Sequence, residues 1–407
     1  MTYAVAQLGA RMHYAVPRIL HSTGTLDHFF TDICASKGWL KLTQLIPAAL
    51  QSDNFHRIAS RVPGDLPREQ ITAFNGFGLR YALRRREART TRDMLRAFLW
   101  AGRSFCRRVA RHGLGRANGV YVFNTAGLEI LETARREGRR CVVEQTIAPQ
   151  RLEQQILRVE QEKFPGWERG QADSGVLHAY CEREEAEWDL ADLILCGSSF
   201  VRDCIGACGG PLERCVIVPY GIDRSFWTPP RMDHCGPVRV LTTGTSLRKG
   251  APYVLAAARA MGKKAQFRMV GAVDLSSTAA ALLSGSLELV GPVPRPEMKA
   301  HFAWADVFLL PSLCEGSATV IYEALAASLP VICTVSTGSV VRHGIEGFLV
   351  QTCDSSAIVD ALMCLADDRE LRQSMVAAAA QRAARFDLKS YGQRLVNALH
   401  GGAVTGE

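Results

Sequence analysis

Two carboxylates and a helix start are the residues in this chain most able to do chemistry together. Glu315 lies in a loop, and Glu323 follows with seven residues between them, inside a run of good helix formers from about Thr319 to Ala327. The apolar run Val307-Phe308-Leu309-Leu310 before the loop has the character of a buried parallel strand. Pro330 prevents continuation of the helix, and Val331-Ile332-Cys333 reads as the next strand. The unit is strand, loop, helix, strand. A helix start offers unpaired N–H groups and a partial positive charge, so it favours a phosphate. Gly316 and Ser317 lead into that start, and the amides of Ala318, Thr319 and Val320 are best placed to use it. A carboxylate on either side could then hold hydroxyls flanking a bound diphosphate, which is the layout of a nucleotide sugar. An ordinary strand–helix unit with two solvated glutamates would look the same from this pair alone, so the flanks must decide.

The flanks supply cations and turns. Val238–Thr242 reads as a strand, and the loop Gly244–Gly250 after it carries Arg248 and Lys249, suited to neutralising a diphosphate and the charge of a departing nucleotide. Gly291-Pro292-Val293-Pro294 follows the strand Leu287–Val290. Upstream, Gly221-Ile222-Asp223 is followed by Phe226-Trp227 and Pro229-Pro230, with the density of Pro and Gly expected of a linker. In this order, with the run from Asp192 to Phe200 and with Gly344 to Val350, these motifs resemble the retaining glycosyltransferases of family 4, the glycosyl transferases group 1. The resemblance covers about Asp192–Leu399; the first half shares only the layout.

The resemblance implies an α/β protein of the GT-B fold, two Rossmann-like domains with parallel sheets facing across a cleft. An acceptor-side domain would span residues 1–219, a linker 220–230 and a donor-binding domain 231–387, with the helix at about 388–400 returning to the first domain. It further implies that Glu315 meets the donor sugar, Glu323 the ribose, and Gly291 and Val293 the base. Gly316, Ser317, Ala318, Thr319, Val320, Gly244 and Thr245 would complete the donor site. Glu315, Arg248 and Lys249 would carry catalysis, and Gly9 and Arg11 would form the acceptor-side loop. The implied reaction moves a sugar from a nucleotide-diphosphate sugar to a glycan or lipid-linked acceptor with retention, by front-face attack in which the donor phosphate helps deprotonate the acceptor. No cofactor beyond the donor is implied and no metal, the sequence having no Asp-x-Asp. Two positions depart from the family. Thr245 stands where arginine often follows the loop glycine, and Glu144-Gln145-Thr146 stands where many members carry a histidine. His13 and His21 lie near the first loop, and neither is assigned as a base. These departures suggest an alternative, a GT-B binding or scaffold protein without turnover. A nucleotide-sugar epimerase ranks lower, for want of an identifiable acid and base.

Strands and helices alternate along the chain, as a parallel sheet requires. Ala4–Leu8, a glycine loop, the helix Tyr14–His21 and the strand Leu26–Ile33 open the first half. Gly119–Phe123, Ala126–Glu137 and Cys141–Val143 repeat the pattern. No Gly-x-Gly-x-x-Gly occurs there, which argues against a nicotinamide dehydrogenase. The 407 residues, 47% hydrophobic and 22% charged, have the balance of a folded α/β protein rather than a disordered one. No apolar run approaches the ~20 residues of a membrane span, and no signal peptide is read at the start. Thirteen scattered cysteines without a Cys-x-x-Cys pair suggest reduced thiols and a cytoplasmic setting. The net charge of +8 is unevenly spread: Leu79–His112 holds eleven arginines against Glu87 and Asp93. Apolar residues at helical spacing run through that stretch. It reads either as an amphipathic surface for anionic lipid or an acidic acceptor, peripheral at the inner face of the membrane, or as an arginine-rich helix covering the core. Nucleic acid fits poorly, since no recognised binding module is present.

Overall fold

The structure is a computed structural model that describes residues 1–45, 58–168, 174–223 and 236–402. Among the described residues, thirteen strands form two sheets. The first contains β1 (Tyr3–Gln7), β2 (Leu26–Thr31), β3 (Ile71–Ala73), β4 (Gly119–Phe123), β5 (Arg140–Gln145), β6 (Leu193–Cys196) and β7 (Cys215–Ile217). Its spatial order is β3-β2-β1-β4-β5-β6-β7. The second contains β8 (Val238–Thr245), β9 (Ala265–Val273), β10 (Glu288–Gly291), β11 (Val307–Leu310), β12 (Val331–Thr334) and β13 (Gly347–Val350), in the order β10-β9-β8-β11-β12-β13. Every pairing is parallel.

Parallel strands with helices on both faces must be apolar throughout, and β4, β6, β11 and β12 are buried along their whole length. Full burial of each Leu or Phe in β11 contributes about 1.5–3 kcal/mol. Strand order reverses between β1 and β4 in one sheet and between β8 and β11 in the other. Crevices open beyond the carboxyl ends of the strands at such points. The loops after β1, β8 and β11 therefore carry Arg11, Lys249 and Glu315 to a shared region.

Several elements differ from the sequence reading. The first helix runs Ala15–Ser22, because Met12, His13 and Tyr14 adopt φ of 46°, 50° and 60° and form a left-handed turn before it. Strand β2 stops at Thr31. Most of the linker lies in 224–230, outside the described residues. Just before it, Ile222 bonds Phe386 O and accepts from Leu388 N. The helix Leu388–Leu399 then returns to the first sheet, where Tyr3 Oη donates to Leu399 O at 3.3 Å and Tyr391 meets Tyr220 edge-on.

The segment 150–168 departs from the expected division at residue 219. Ile156, Phe164 and Trp167 pack on the core of the second sheet. Phe164 meets Tyr253 at 5.7 Å, Tyr253 Oη donates to Glu160 at 2.6 Å, and Ser276 N donates to Trp167 O at 2.7 Å.

The arginine-rich stretch is two helices, Asn75–Glu87 and Thr91–His112, the second started by a capping box of Thr90 and Asp93. Phe105 and Val109 are buried with Val120 and Val122 of β4, and Leu95 and Leu99 are buried as well. The apolar side of the longer helix is thus spent on the core, as the second of the two readings has it. Arg84 lies over Trp100 at 4.1 Å and Arg108 over Phe77 at 4.8 Å, so stems and guanidinium planes cover aromatic surface.

Candidate functional site

A cavity of about 580 Å³ lies between the two sheets. Its floor is the loop and helix that follow β11. Glu315 is 8% exposed, and its Oε1 sits 2.6 Å from Lys249 Nζ and 3.0 Å from an Arg248 guanidinium nitrogen. Burial would raise the Glu315 carboxyl, but the Lys249 ammonium and then the Arg248 guanidinium outweigh it and hold the group below the usual carboxylate range. Glu323 differs: burial raises its carboxyl, offset in part by Arg295 at 3.2 Å. Arg295 thus occupies the carboxylate that the resemblance gives to the ribose. Its position 28 residues away hid it from a motif search.

Lys249 and Arg248 are adjacent in sequence but do different things. Lys249 lines the cavity. Arg248 is absent from the lining; its Nη1 donates to Cys314 O at 2.9 Å, while Leu313 N donates to Arg248 O at 2.8 Å. These contacts tie Arg248 to the Glu315 loop. Thr245 is also withdrawn. It ends β8, is 2% exposed and donates its hydroxyl to Ala272 O at 2.5 Å. The helix start is modified too. Ala318 N donates to Thr337 O at 3.1 Å, so the amides of Thr319 and Val320 remain for an anion.

Of the other expected donor residues, Gly244, Val293, Gly316 and Ser317 line the cavity, as do Ala318, Thr319, Val320 and Glu323. Gly291 does not; its neighbours Pro292 and Val293 do, along with Thr243, Gly271 and Met298, which sequence reasoning passed over.

The opposite wall comes from the first sheet. Arg11, Thr146 and Ile147 line it, whereas Gly9, His13 and His21 do not. Gly9 N donates to Asp32 at 3.0 Å, which holds the loop onto β2. Glu144 and Gln145 turn inward. Glu144 accepts from Tyr121 Oη at 2.5 Å and Tyr220 Oη at 2.9 Å, and Gln145 donates to Ile147 O and Glu184. Thr146 alone of the three faces the cavity, its hydroxyl donating to Asn124 Oδ1 at 2.9 Å. Burial raises Glu184 to about 7, opposed by the hydrogen bond from Gln145.

The two walls touch. Ile147 pairs with Gly316 as an antiparallel bridge, Ala148 N donates to Glu315 O at 3.2 Å, and Ser198 Oγ donates to Gly316 O at 2.5 Å. Glycine is required at both crossing points. A Cβ on Gly316 would lie 2.0 Å from Thr146 O, and Gly338, at φ 61°, would bring one 2.0 Å from Gly316 O.

Two facing Rossmann-like domains with the cleft between them define the GT-B fold, which is that of known glycosyltransferases. Over nearly its whole length the chain superimposes on Anabaena Alr3699/HepE solved in complex with UDP, with a TM-score of 0.61, 15% identity and coverage of 98% and 100% of the two chains. Sequence comparison adds the family resemblance. The family model for Glycosyl transferases group 1 matches residues 237–368, the part that carries Lys249, Glu315 and Glu323. D-inositol 3-phosphate glycosyltransferase of Pseudarthrobacter chlorophenolicus is 31% identical over 232 residues, 49% of this chain and 54% of that protein. The putative colanic acid biosynthesis glycosyltransferase WcaL of Salmonella typhimurium is 26% identical over 244 residues, 55% of this chain and 60% of that protein. The chain spans about half the length of the curated relatives it matches. The likeness to glycosyl transferases group 1 read from the motifs is shown by these matches.

Proposed function

We propose that this protein transfers a sugar, with retention of configuration, from a nucleotide-diphosphate sugar to a glycan or lipid-linked acceptor in polysaccharide or glycoconjugate synthesis. The observation that carries the reading is the convergence of Glu315, Lys249 and the open amides of Thr319 and Val320 on one cavity. The diphosphate lies at the helix start beside Lys249, which stabilises the charge on the departing nucleotide. Glu315 holds the sugar hydroxyls, and the ribose takes Glu323 from Arg295. The donor phosphate helps deprotonate the acceptor, consistent with a first-sheet wall that offers Thr146 rather than a histidine. Lys249 and the helix start do the work for which other transferases use a metal, and no cofactor is required.

A thermal-shift panel of UDP-, GDP- and ADP-sugars tests this. Near-saturating donor stabilises the folded chain by about 2–3 kcal/mol, so one base series should raise the melting temperature by several degrees. No shift with any of the three would sink the reading. Binding without transfer to any acceptor would favour the scaffold alternative.

The proposed location is the cytoplasmic face of the membrane, supported by the arginines of the helices Asn75–Glu87 and Thr91–His112. No helix among the described residues is long and apolar enough to cross a membrane. With the apolar side of the longer helix buried, association would be electrostatic and fade as salt screens it. In liposome sedimentation, binding to anionic vesicles should weaken sharply between low and physiological salt; no binding at low salt would remove this location.

A further inference from the structure

The cavity has a cation on the wall that a donor does not need. Arg11 stands on the loop after β1, across from Lys249 and Glu315. Its guanidinium is held in place from several directions. Nη2 donates to Tyr220 Oη at 2.7 Å, the group lies 5.0 Å over the Tyr220 ring, and Nε is 3.5 Å from Glu144 Oε1. Tyr220 Oη in turn donates to Glu144, which also accepts from Tyr121. The turn that follows is left-handed at Met12, His13 and Tyr14, a rare backbone for non-glycine residues that fixes where the loop presents its side chain.

These contacts leave the cation partly unused. Nε is buried and makes no hydrogen bond, and among the described residues none accepts from Nη1. The side chain remains 31% exposed. Glu144 stands 3.5 Å from Nε with no hydrogen bond between them, so the ion pair leaves the guanidinium's hydrogen-bonding capacity unfilled. A fixed guanidinium with an open edge is a receptor for a planar or tetrahedral oxyanion. The donor diphosphate already has Lys249 and a helix start on the other wall.

We propose that Arg11 is a specificity residue for the acceptor, and that the acceptor carries an oxyanion, a phosphate or a carboxylate, beside the hydroxyl that is glycosylated. This rests on the donor reading above and adds the acceptor's chemical class. The guanidinium pairs with the oxyanion and thereby orients the neighbouring hydroxyl toward the sugar carbon over Glu315.

The test measures binding by calorimetry of glucose 6-phosphate, glucuronate and glucose to protein saturated with whichever of UDP, GDP or ADP binds. At least one anionic probe should bind about tenfold or more tightly than glucose, the size of one charge-assisted contact of about 1.4 kcal/mol. Arg11→Gln should abolish that preference while nucleotide affinity stays within about twofold. Because the variant leaves Glu144 without its cation, Arg11→Gln/Glu144→Gln provides a second version without the buried charge. Equal binding of all three probes, no binding of any, or a preference that survives both variants overturns the proposal. So does a tenfold loss of nucleotide affinity in both, which would assign Arg11 to the donor. Failure of every nucleotide to bind the native protein would instead refute the donor reading itself.

Discussion

Lys249→Ala should lower kcat/KM for sugar transfer by about 10²–10³-fold while leaving the fold intact. Removing one preorganised donor from a site of developing charge typically has that effect. Lys249 is the cation of its loop that reaches the cavity, and it also holds Glu315 in its ionised form. Stability should change little, because Arg248 still pairs with Glu315 at 3.0 Å and the lysine side chain is 20% exposed. The informative comparison is Arg248→Ala. That change frees the Cys314 carbonyl and loosens the Glu315 loop, so it should lower the melting temperature more and the single-turnover rate less. Steady-state kinetics with the donor identified by thermal shift, alongside melting curves, separates the two. Equal loss of rate in both variants would mean that the two cations act alike, and unchanged transfer in Lys249→Ala would remove it from the mechanism.

Gly316→Ala should be nearly as severe for a steric reason. The added carbon would sit 2.0 Å from Thr146 O and 3.0 Å from Ile147 Cα, both backbone atoms that cannot rotate away. The two walls must separate, losing the bridge from Ile147 to Gly316 and stretching the Ser198 bond to Gly316 O. A displacement of about 1 Å at a reacting centre costs on the order of 10²-fold in rate. Solution scattering should report a larger radius of gyration with unchanged circular dichroism. Native compactness with transfer within about threefold of wild type would show that the walls need not touch.

Much of the second half was legible in the sequence because its information is local. Glu315 and Glu323 are carried by one loop and one helix, so their spacing along the chain is their spacing in space. The alternation of apolar runs with helical segments gave both parallel sheets for the same reason. What stayed hidden depends on distant partners or on backbone direction. Arg11 meets Tyr220 across 209 positions of sequence, and Tyr220 meets Glu144 across 76. No periodicity encodes such a cluster. Arg248 and Lys249 look equivalent as letters; the turn that carries them sends one side chain to a carbonyl and the other to the cavity. Ala318 offered an amide in the sequence, but Thr337 O takes it once β12 and its following turn are in place. The Glu144–Thr146 run was flagged at the right strand end, yet β5 stops at Gln145, and the loop that follows turns Thr146 to the cavity while Tyr121 and Tyr220 hold Glu144 in the interior.

The segment 150–168 bears on how such proteins can be recombined. It precedes the linker in sequence, but its aromatic residues Phe164 and Trp167 seal the outside of the second sheet, and Glu168 accepts from Leu247 N at 2.6 Å near the Lys249 loop. A chimera that exchanged donor halves at the linker would separate this strap from the surface it fits. It would leave an apolar patch on one parent and mismatched side chains from the other. The natural unit of exchange is the second half together with that strap, a discontinuous module that crosses the chain's obvious seam.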